Sequence, residues 1–398
     1  MKVELLAPAG DMERLKFSLM YGADACYIGG RNYSLRANAK NFSIEEIKEA
    51  CNFAHEMNKK IYVTVNIIFH NEDYAGLSDY LMDLEDCGVD AIIVGDLFVA
   101  SLASKVAPKL GIHISTQTST MNTEAVNFLI SIGVDRVVLG REMDRNSIKE
   151  IIDCTNMEVE CFIHGAMCTA YSGRCVLSNY FTCRDANRGG CAQICRWESS
   201  LYSPNGDKVE SDVKFTMSTK DLSMISNLSD MIDIGIASLK VEGRMRSNYY
   251  VATVINTYRL AIDDYYNNDL TASKLDYYKK VLVRCANRDN IEQFYNGLPG
   301  VSEQYYLGRN EVSNQDFLGI VIDYCEYTKE VTLSQRNYFK TGDVVSMFGP
   351  NIEPFTFTVP SMYDEDGNLI TVANHPEQVV RFKVPKAVYK YDIMRVNI

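Results

Sequence analysis

The chain has 398 residues, of which 46% are hydrophobic and 23% charged, and a formal net charge of −12. This length and composition are typical of a globular protein with one large and one smaller domain, and the acidic balance weighs against a broad surface that coats nucleic acid. No N-terminal signal peptide is recognisable and no run approaches about 18 uncharged apolar residues, which predicts a cytoplasmic protein with no membrane segment.

The first 165 residues repeat one unit, a short apolar strand followed by an amphipathic helix. One clear helical pattern is Ser43–Asn58, in which Ser43 is the predicted N-cap and Glu46 completes a capping box. Alternating strands and helices form parallel βα units, and the absence of a glycine-rich dinucleotide motif favours a TIM-like (β/α)₈ barrel over a doubly wound sheet. The predicted strands are Glu4–Pro8, Ala25–Gly29, Lys60–Asn66, Ala91–Gly95, Gly111–Thr116, Arg136–Gly140 and Glu158–His164.

The regular pattern stops after His164. Residues 165–213 are rich in Cys, Gly, Arg and Asn and have no clean period, which is typical of a long functional insertion. With the segments that follow there are nine strand candidates for eight barrel positions, and we expect Lys214–Met217 to be an accessory strand. The pattern resumes with the predicted strands Lys214–Met217 and Ser238–Val241. The predicted helices lie near Leu222–Ile232 and at Asn248–Tyr266.

From about Asp316 onward the hydrophobic period changes to two, which predicts β-strands. Turn sequences such as Asp366-Gly367-Asn368 separate these segments. We therefore expect a barrel domain over residues 1–300 and a small antiparallel β-barrel domain over residues 301–398. The predicted strands of the second domain are Gly319–Tyr324, Glu330–Ser334, Asp343–Met347, Leu369–Val372 and Val379–Phe382.

Seven of the twelve cysteines lie between Cys154 and Cys195. In a reducing compartment, such clustering points to metal binding or catalysis rather than to disulfides. Thiolates suit both iron–sulfur clusters and zinc, but the favoured ligands lack the paired C-x-x-C knuckles of a structural zinc site. An iron–sulfur cluster is therefore favoured over zinc and over unligated thiols. The predicted ligands are Cys168, Cys175, Cys191 and Cys195, with Cys161 and Cys183 as competing candidates for the fourth position.

The segment around these cysteines resembles peptidase family 32 of the unknown-mechanism class, and the resemblance extends over essentially the whole chain. It looks closest to the prephenate-dependent tRNA hydroxylation proteins, which convert the wobble uridine to 5-hydroxyuridine. It implies a [4Fe–4S] cluster, tRNA bound through its anticodon loop, and prephenate, a small dicarboxylate, as co-substrate. The residues that carry it are Glu160-Cys161-Phe162-Ile163-His164-Gly165-Ala166-Met167-Cys168, Gly173-Arg174-Cys175, Arg184 to Trp197, Leu6 to Gly10, Ser218 to Leu222 and Lys240 to Met245.

Polar residues that follow the barrel strands are predicted to converge on one mouth, because active sites of such barrels lie at the carboxyl ends of the strands. We expect His164, Glu142 and Glu242 to be catalytic there. For His164 three roles stay open: cluster ligand, proton carrier, or hydrogen-bonded core residue. Glu142 and Arg141 have a structural alternative, an ion pair at the barrel end.

Lys220 and Arg244 lie in motifs of the resemblance, and such a cationic pair suits a dicarboxylate, which arginine can bind with two hydrogen bonds. We assign Lys220 to catalysis. The predicted co-substrate-binding residues are Arg244, Arg141, Gln117 and Asn66.

Aromatic and basic residues interleave within the insertion, as expected where single-stranded RNA bases stack on aromatic or arginine planes. Packing of Phe181 and Trp197 onto the barrel is the structural alternative. The predicted RNA-binding residues are Arg174, Arg184, Arg188, Arg196, Tyr171 and Trp197, with Tyr180 and Phe181 as further candidates for stacking.

Two other functions stay open. A collagenase-like cysteine peptidase would use Cys168 with His164, although the sequence contains no G-x-S-x-G or H-E-x-x-H motif. A non-catalytic, cluster-bearing RNA-binding partner is the third class. A protein partner or a homo-oligomer is compatible with each of the three.

Overall fold

The computed structural model describes residues 2–35, 40–210, 214–285, 288–305 and 315–398. The last residues of the predicted insertion, 211–213, and the start of the predicted second domain, 306–314, lie outside the described residues. The strands of the first part are β1 Glu4–Pro8, β2 Ala25–Gly29, β3 Lys60–Val65, β4 Ala91–Val94, β5 Gly111–Ile114, β6 Arg136–Val138, β7 Glu158–Gly165, β8 Asp221–Ser223, β9 Ser238–Val241 and β10 Asn290–Ile291.

Strands β1 to β7 and β9 form a closed parallel barrel. Neighbouring strands pair in parallel from β1–β2 to β6–β7. The barrel closes through β9, where Leu239 lies beside Cys161 of β7 on one side and beside Leu5 of β1 on the other. The predicted TIM-like (β/α)₈ barrel is therefore confirmed, and the carboxyl ends of its strands meet at one mouth.

Helices alternate with the strands and cover the outside of the barrel. The predicted capping box is present: Ser43 accepts from the backbone of Glu46, whose side chain accepts from the backbone of Ser43. The helix that it begins turns Ile47, Ala50 and Ala54 into the core. The helices are α1 Met12–Met20, α2 Ile44–Glu56, α3 Leu77–Asp86, α4 Leu97–Val106, α5 Thr123–Ser131, α6 Arg145–Cys154, α7 Leu177–Thr182, α8 Leu228–Asp233, α9 Asn248–Tyr266 and α10 Ala272–Cys285.

The accessory strand is not where the sequence placed it. Lys214–Met217 forms no strand, and its Phe215 makes only an isolated bridge to Ser199. The accessory strand is β8, which pairs antiparallel with the end of β7, His164 opposite Ser223. Because β7 extends beyond its barrel neighbours, its last residues are left to pair with β8. The helix predicted near Leu222–Ile232 consequently begins only at Leu228.

A charged network fills part of the barrel interior. Lys240 on β9 donates to Glu160 on β7 across 2.7 Å, and Arg136 on β6 contacts the same carboxylate at 3.4 Å. Arg136 also pairs with Glu4 of β1 at 2.5 Å, and Tyr62 of β3 donates to Glu4 at 2.7 Å. Lys240, Arg136 and Glu160 are buried, and Glu4 keeps only 13% of its side chain exposed, so each charge depends on its partners to offset the hydration that it loses. The network links strands from opposite sides of the barrel.

The C-terminal part is an antiparallel β domain with its own hydrophobic core, as predicted. Its largest sheet has the order β15-β14-β20-β11-β12-β19-β16-β17. The sequence prediction missed β13, β15, β16 and β20; β15 contains Pro354, which a strand tolerates at the edge position that β15 occupies. The strands are β11 Phe317–Cys325, β12 Glu330–Gln335, β13 Phe339–Lys340, β14 Val344–Gly349, β15 Ile352–Thr358, β16 Met362–Tyr363, β17 Leu369–Ile370, β18 Val372–Ala373, β19 Val379–Lys383 and β20 Ile393–Val396.

Contacts between the barrel and the β domain are polar, aromatic and aliphatic, since Ile320 and Ile393 of the β domain belong to the core cluster of the barrel. Tyr21 donates to the Tyr391 carbonyl at 2.8 Å, and the rings of Tyr249 and Phe317 stack.

None of the helices in the described ranges has the length and apolar character needed to span a bilayer.

Candidate active site at the barrel mouth

A cavity of about 410 Å³ opens at the carboxyl ends of the barrel strands. One wall consists of the loops that follow β3, β5, β6 and β9, and the insertion forms the other wall. The cavity therefore joins the two regions that the sequence singled out. Its predicted site residues are Asn66, Gln117, Arg141, Glu142, Glu242, Arg244, Arg196, Cys168, Cys175, Cys191 and Cys195.

The four cysteines predicted as ligands all line this cavity. Cys168 and Cys191 are exposed, whereas Cys175 and Cys195 are half-buried. Burial raises the pKa of the Cys195 thiol; Arg196 opposes this rise, and the other three cysteines add to it. The four thiols are therefore close enough to influence one another electrostatically.

The relative placement of the four thiols decides which kind of metal group they could hold. Within the described residues, no three His, Cys, Asp or Glu side chains are placed to hold one metal ion. A tetrahedral zinc site needs sulfur atoms about 3.8 Å apart, from Zn–S distances of about 2.3 Å. A polynuclear group spreads its ligands more widely, and soft thiolates are its usual donors. Four cysteine thiols that line one cavity are the kind of donor set that an iron–sulfur cluster uses.

The two competing cysteines lie elsewhere. Cys161 on β7 is buried in the core, and this burial raises the pKa of its thiol. Cys183 is exposed at the end of α7, in the left-handed conformation, and does not line the cavity. Neither is placed with Cys168, Cys175 and Cys195, so the structure does not bring a fifth thiol to this group.

Hydrogen bonds fix the cysteine loops. The Asn187 side chain accepts from the backbone N–H of Cys175 at 3.0 Å and donates to its carbonyl at 2.9 Å. The backbone N–H of Leu177 donates to Cys175 Sγ at 3.4 Å. At the start of the insertion Gly165 has φ +108°, and a Cβ there would lie 2.5 Å from the Glu242 carbonyl. Only glycine fits this bend.

Three predicted site residues anchor the insertion to the barrel. Glu142 accepts from the backbone N–H and, at 2.7 Å, from the hydroxyl of Ser172, which has φ +48°. Arg141 donates to the Ala166 carbonyl at 2.7 Å, and its guanidinium lies 3.7 Å from the centre of the Phe162 ring. The predicted Arg141–Glu142 ion pair is therefore replaced by two separate links to the insertion.

Arg188 is the third anchor, while its role in RNA binding stays a prediction. Its guanidinium forms two hydrogen bonds with Asp73, one of them at 2.7 Å, and a third with the Ile68 carbonyl. A hydrogen bond from Arg188 lowers the pKa of Asp73 to about 2. The donors of Arg188 are thus used to dock the insertion on the loop after β3, because Asp73 lies within reach.

Arg244 and Glu242 line the cavity from the loop after β9. Buried Arg244 donates to Ser34 at 3.0 Å, to Thr64 at 3.2 Å and to the Leu35 carbonyl. Glu242 accepts from the Tyr27 hydroxyl at 3.2 Å. Both side chains are fixed before any ligand arrives, which lowers the entropic cost of binding. Asn66 lies beside them and accepts from the Leu35 N–H at 3.2 Å.

His164 and Lys220 are not among the residues that line the cavity, which corrects their predicted placement. The pairing of β7 with β9 shifts register between Phe162 and His164, so Phe162 faces the cavity while His164 packs against Tyr258 of α9. Burial, with a smaller effect of Arg246, lowers the pKa of His164 to about 3. His164 is therefore a neutral core histidine at neutral pH.

Lys220 precedes the accessory strand β8 rather than a barrel strand, and its ammonium lies 3.3 Å from Asp289.

We expect His164 to make the protein less stable in acid. Its folded-state pKa is below the ordinary value of 6.5, so the unfolded chain binds a proton that the folded chain does not. The stabilisation is complete above about pH 6.5 and is lost progressively as the pH falls toward 3. In urea titrations at pH 7.5, 6.0 and 5.0, His164→Gln should show a shallower decline of the unfolding free energy than the wild type. Equal slopes for the wild type and His164→Gln would contradict this assignment.

The other predicted RNA-binding residues are mostly at the surface. Arg174 and Arg184 are exposed, and Tyr171 and Trp197 are 55% and 50% exposed. Arg196 lines the cavity and donates to Gln193 at 2.8 Å. Phe181 is 66% exposed, and neither it nor Trp197 belongs to the hydrophobic core.

Sequence reasoning missed three basic residues of the cavity. Lys240 lies inside a strand that was read as apolar, and its position two residues before Glu242 on an alternating strand was the available signal. Arg246 and Arg288 also line the cavity and both pair with buried Asp221, at 3.3 and 2.9 Å. Arg288 is distant in sequence from every recognised motif, so no local pattern indicated it.

Comparison with known families identifies the chain. Residues 10–305 match the model of peptidase family U32, and residues 313–395 match that of the peptidase family U32 C-terminal domain. The chain belongs to peptidase family U32. The resemblance inferred from the cysteine segment is thereby confirmed.

Several U32 relatives have names that refer to RNA. The chain is 49% identical to tRNA hydroxylation protein P1 of Bacillus subtilis (strain 168), over 99% of this chain and 94% of that protein. It is 39% identical to the 23S rRNA 5-hydroxycytidine C2501 synthase of Escherichia coli (strain K12), over 66% of this chain and 39% of that protein. It is also 32% identical to a protein named collagenase from Porphyromonas gingivalis (strain ATCC BAA-308 / W83), over 74% of this chain and 73% of that protein.

Proposed function

We propose that this U32 protein hydroxylates the wobble uridine of tRNA to 5-hydroxyuridine, with a [4Fe–4S] cluster on Cys168, Cys175, Cys191 and Cys195 and with prephenate as co-substrate. The observation that carries the proposal is the single cavity that these cysteines share with the polar residues of the barrel mouth. Full-length similarity to a tRNA hydroxylation protein and partial similarity to a 5-hydroxycytidine synthase support RNA hydroxylation as the reaction class.

The charge of the cavity supports an anionic co-substrate. Its lining contains six basic side chains, Arg141, Arg196, Lys240, Arg244, Arg246 and Arg288, and two acidic ones, Glu142 and Glu242. Basic groups held in a partly enclosed site attract carboxylates and phosphates strongly, because little water screens them. A dicarboxylate fits this excess of positive charge, and the phosphates of an RNA loop fit the same excess at the rim.

Different residues of the cavity would contact the co-substrate and the RNA base. Arg244, held by Ser34 and Thr64, presents a fixed guanidinium at the cavity wall. Glu242 is the acidic side chain of the β9 loop and is the candidate proton acceptor for the C5 position. When bound, a [4Fe–4S] cluster supplies one-electron transfer. The exposed Tyr171 and Trp197 offer rings for bases of the anticodon loop, and a base must leave its stack to enter the cavity.

The cysteine–histidine pair that the peptidase alternative requires is not formed by Cys168 and His164. A cysteine peptidase needs a histidine beside its thiol. His164 is instead buried against Tyr258, and its pKa of about 3 makes it a weak base. Cys168 is exposed at the cavity without that histidine.

Mass spectrometry of tRNA nucleosides from a deletion strain tests the function. The strain should lose 5-hydroxyuridine, and a plasmid copy of this chain should restore it. The deletion is made with every homologous gene of the strain also removed, so that no second protein can supply the modification. Unchanged 5-hydroxyuridine in that strain, or no restoration by the plasmid, would overturn the proposal.

A further inference from the structure

The cavity has two chemically different sides. The cationic side comes from β9 and its following loop, with Lys240, Arg244 and Arg246. The neutral side comes from the loop after β5 and presents amide and hydroxyl groups, those of Ser115, Thr116 and Gln117. Charged ligand groups are held best on the first side. An uncharged polar group, such as the edge of a nucleobase, matches the second.

Gln117 is the buried end of the neutral side, with a side chain 4% exposed. The backbone N–H of Gln117 donates to Ser115 Oγ at 3.4 Å. The Ser115 hydroxyl in turn donates to Gln117 Oε1, also at 3.4 Å. This leaves Nε2 as the free end of the amide, and within the described residues it has no hydrogen-bond partner. A buried amide donor without an acceptor costs free energy, which a ligand oxygen in the cavity would recover.

The position of Gln117 places that ligand next to the cysteines. The turn Thr116–Thr118 contacts the turn Tyr171–Gly173, which lies between Cys168 and Cys175. The Phe162 ring, stacked with the Arg141 guanidinium, lines the same cavity and offers a planar surface. A planar group held by Gln117 therefore lies beside the insertion loops, where the proposed chemistry occurs.

We propose that Gln117 reads the base that is hydroxylated, by donating a hydrogen bond from Nε2 to O4 of uracil. The inference rests on the proposed function and names the residue that selects the base. Uracil presents an acceptor at O4, whereas cytosine presents an amino donor at the same position. Two donors would then face each other, and a buried unpaired donor would remain on each side. O2 is an acceptor in both bases, so only a contact to O4 discriminates between them.

Binding of two RNA hairpins tests the inference. Anaerobically purified full-length protein is titrated with fluorescent anticodon stem-loops that differ only in uridine or cytidine at the wobble position. The wild type should prefer uridine by at least about 10-fold, within the range typical of one well-placed base contact. Gln117→Met should remove the preference, and Gln117→Glu should reverse it, because a carboxylate accepts from the cytosine amino group.

Gln315→Met is the control, because Gln315 is an exposed glutamine that does not line the cavity. It should keep the wild-type preference. A wild type without preference, or Gln117 variants that keep it, would overturn the inference; a merely structural role would weaken both hairpins equally. The hairpin ratio does not depend on nucleoside content, so loss of the proposed function and loss of base reading give separate results.

Discussion

When Cys168→Ser replaces the wild type in the deletion strain, the 5-hydroxyuridine content of tRNA should fall by more than about 100-fold. Serine offers a hard oxygen in place of a soft thiolate, and a cluster that loses one of four ligands is poorly held. Cys168 is exposed at the cavity and makes no contribution to the barrel core, so the fold should persist. Iron content per chain, nucleoside mass spectrometry and circular dichroism measure the three effects.

Cys183→Ser is the matched control for this substitution. It changes an exposed cysteine of the same insertion that does not line the cavity, and it should retain iron and the modification. Full iron and full modification in Cys168→Ser would show that Cys168 is no ligand. An equal loss in both variants would mean that the insertion responds to any cysteine change.

Lys240→Met should destabilise the protein by about 3 kcal/mol, because it leaves Glu160 buried with only the longer contact to Arg136. The measurement is the free energy of unfolding in urea at neutral pH. Methionine fills much of the volume of lysine, so the loss reports the missing charge rather than a cavity. The variant should also lose co-substrate binding, since Lys240 lines the cavity.

Lys149→Met provides the comparison. Lys149 pairs with Asp153 at the surface, four residues along α6, and such pairs contribute less than about 1 kcal/mol. Equal destabilisation by the two substitutions would show that the barrel network does not depend on Lys240.

The barrel was predictable because its strands are short apolar runs separated by helices that begin with recognisable caps, as at Ser43. What failed were features set by long-range pairing. The strand β8 forms because β7 extends to Gly165, and nothing within Asp221–Ser223 reveals that partner. The edge strand β15 was missed because Pro354 reads as a strand breaker until the edge position is known.

The same distinction applies to the site. The cysteines and the residues after the strands were brought together as expected, since both follow from local sequence and from barrel geometry. Of the three roles left open for His164, the structure favours the hydrogen-bonded core residue, because one register shift turns it from the cavity to the α9 side. Arg188 was assigned to RNA because its charge was visible, whereas Asp73, its partner 115 residues away, was not.

Because of the path that the insertion takes, damage to the cysteine loops need not unfold the barrel. The barrel closes through direct pairing of β7 with β9, and the cysteine loops leave and return outside that closure, fastened by Glu142 and Arg188. Oxidative damage to the exposed cysteines would therefore strike a loop while the frame around it stays folded. A chain damaged in this way would keep its folded barrel, because the cysteine loops do not take part in closing it.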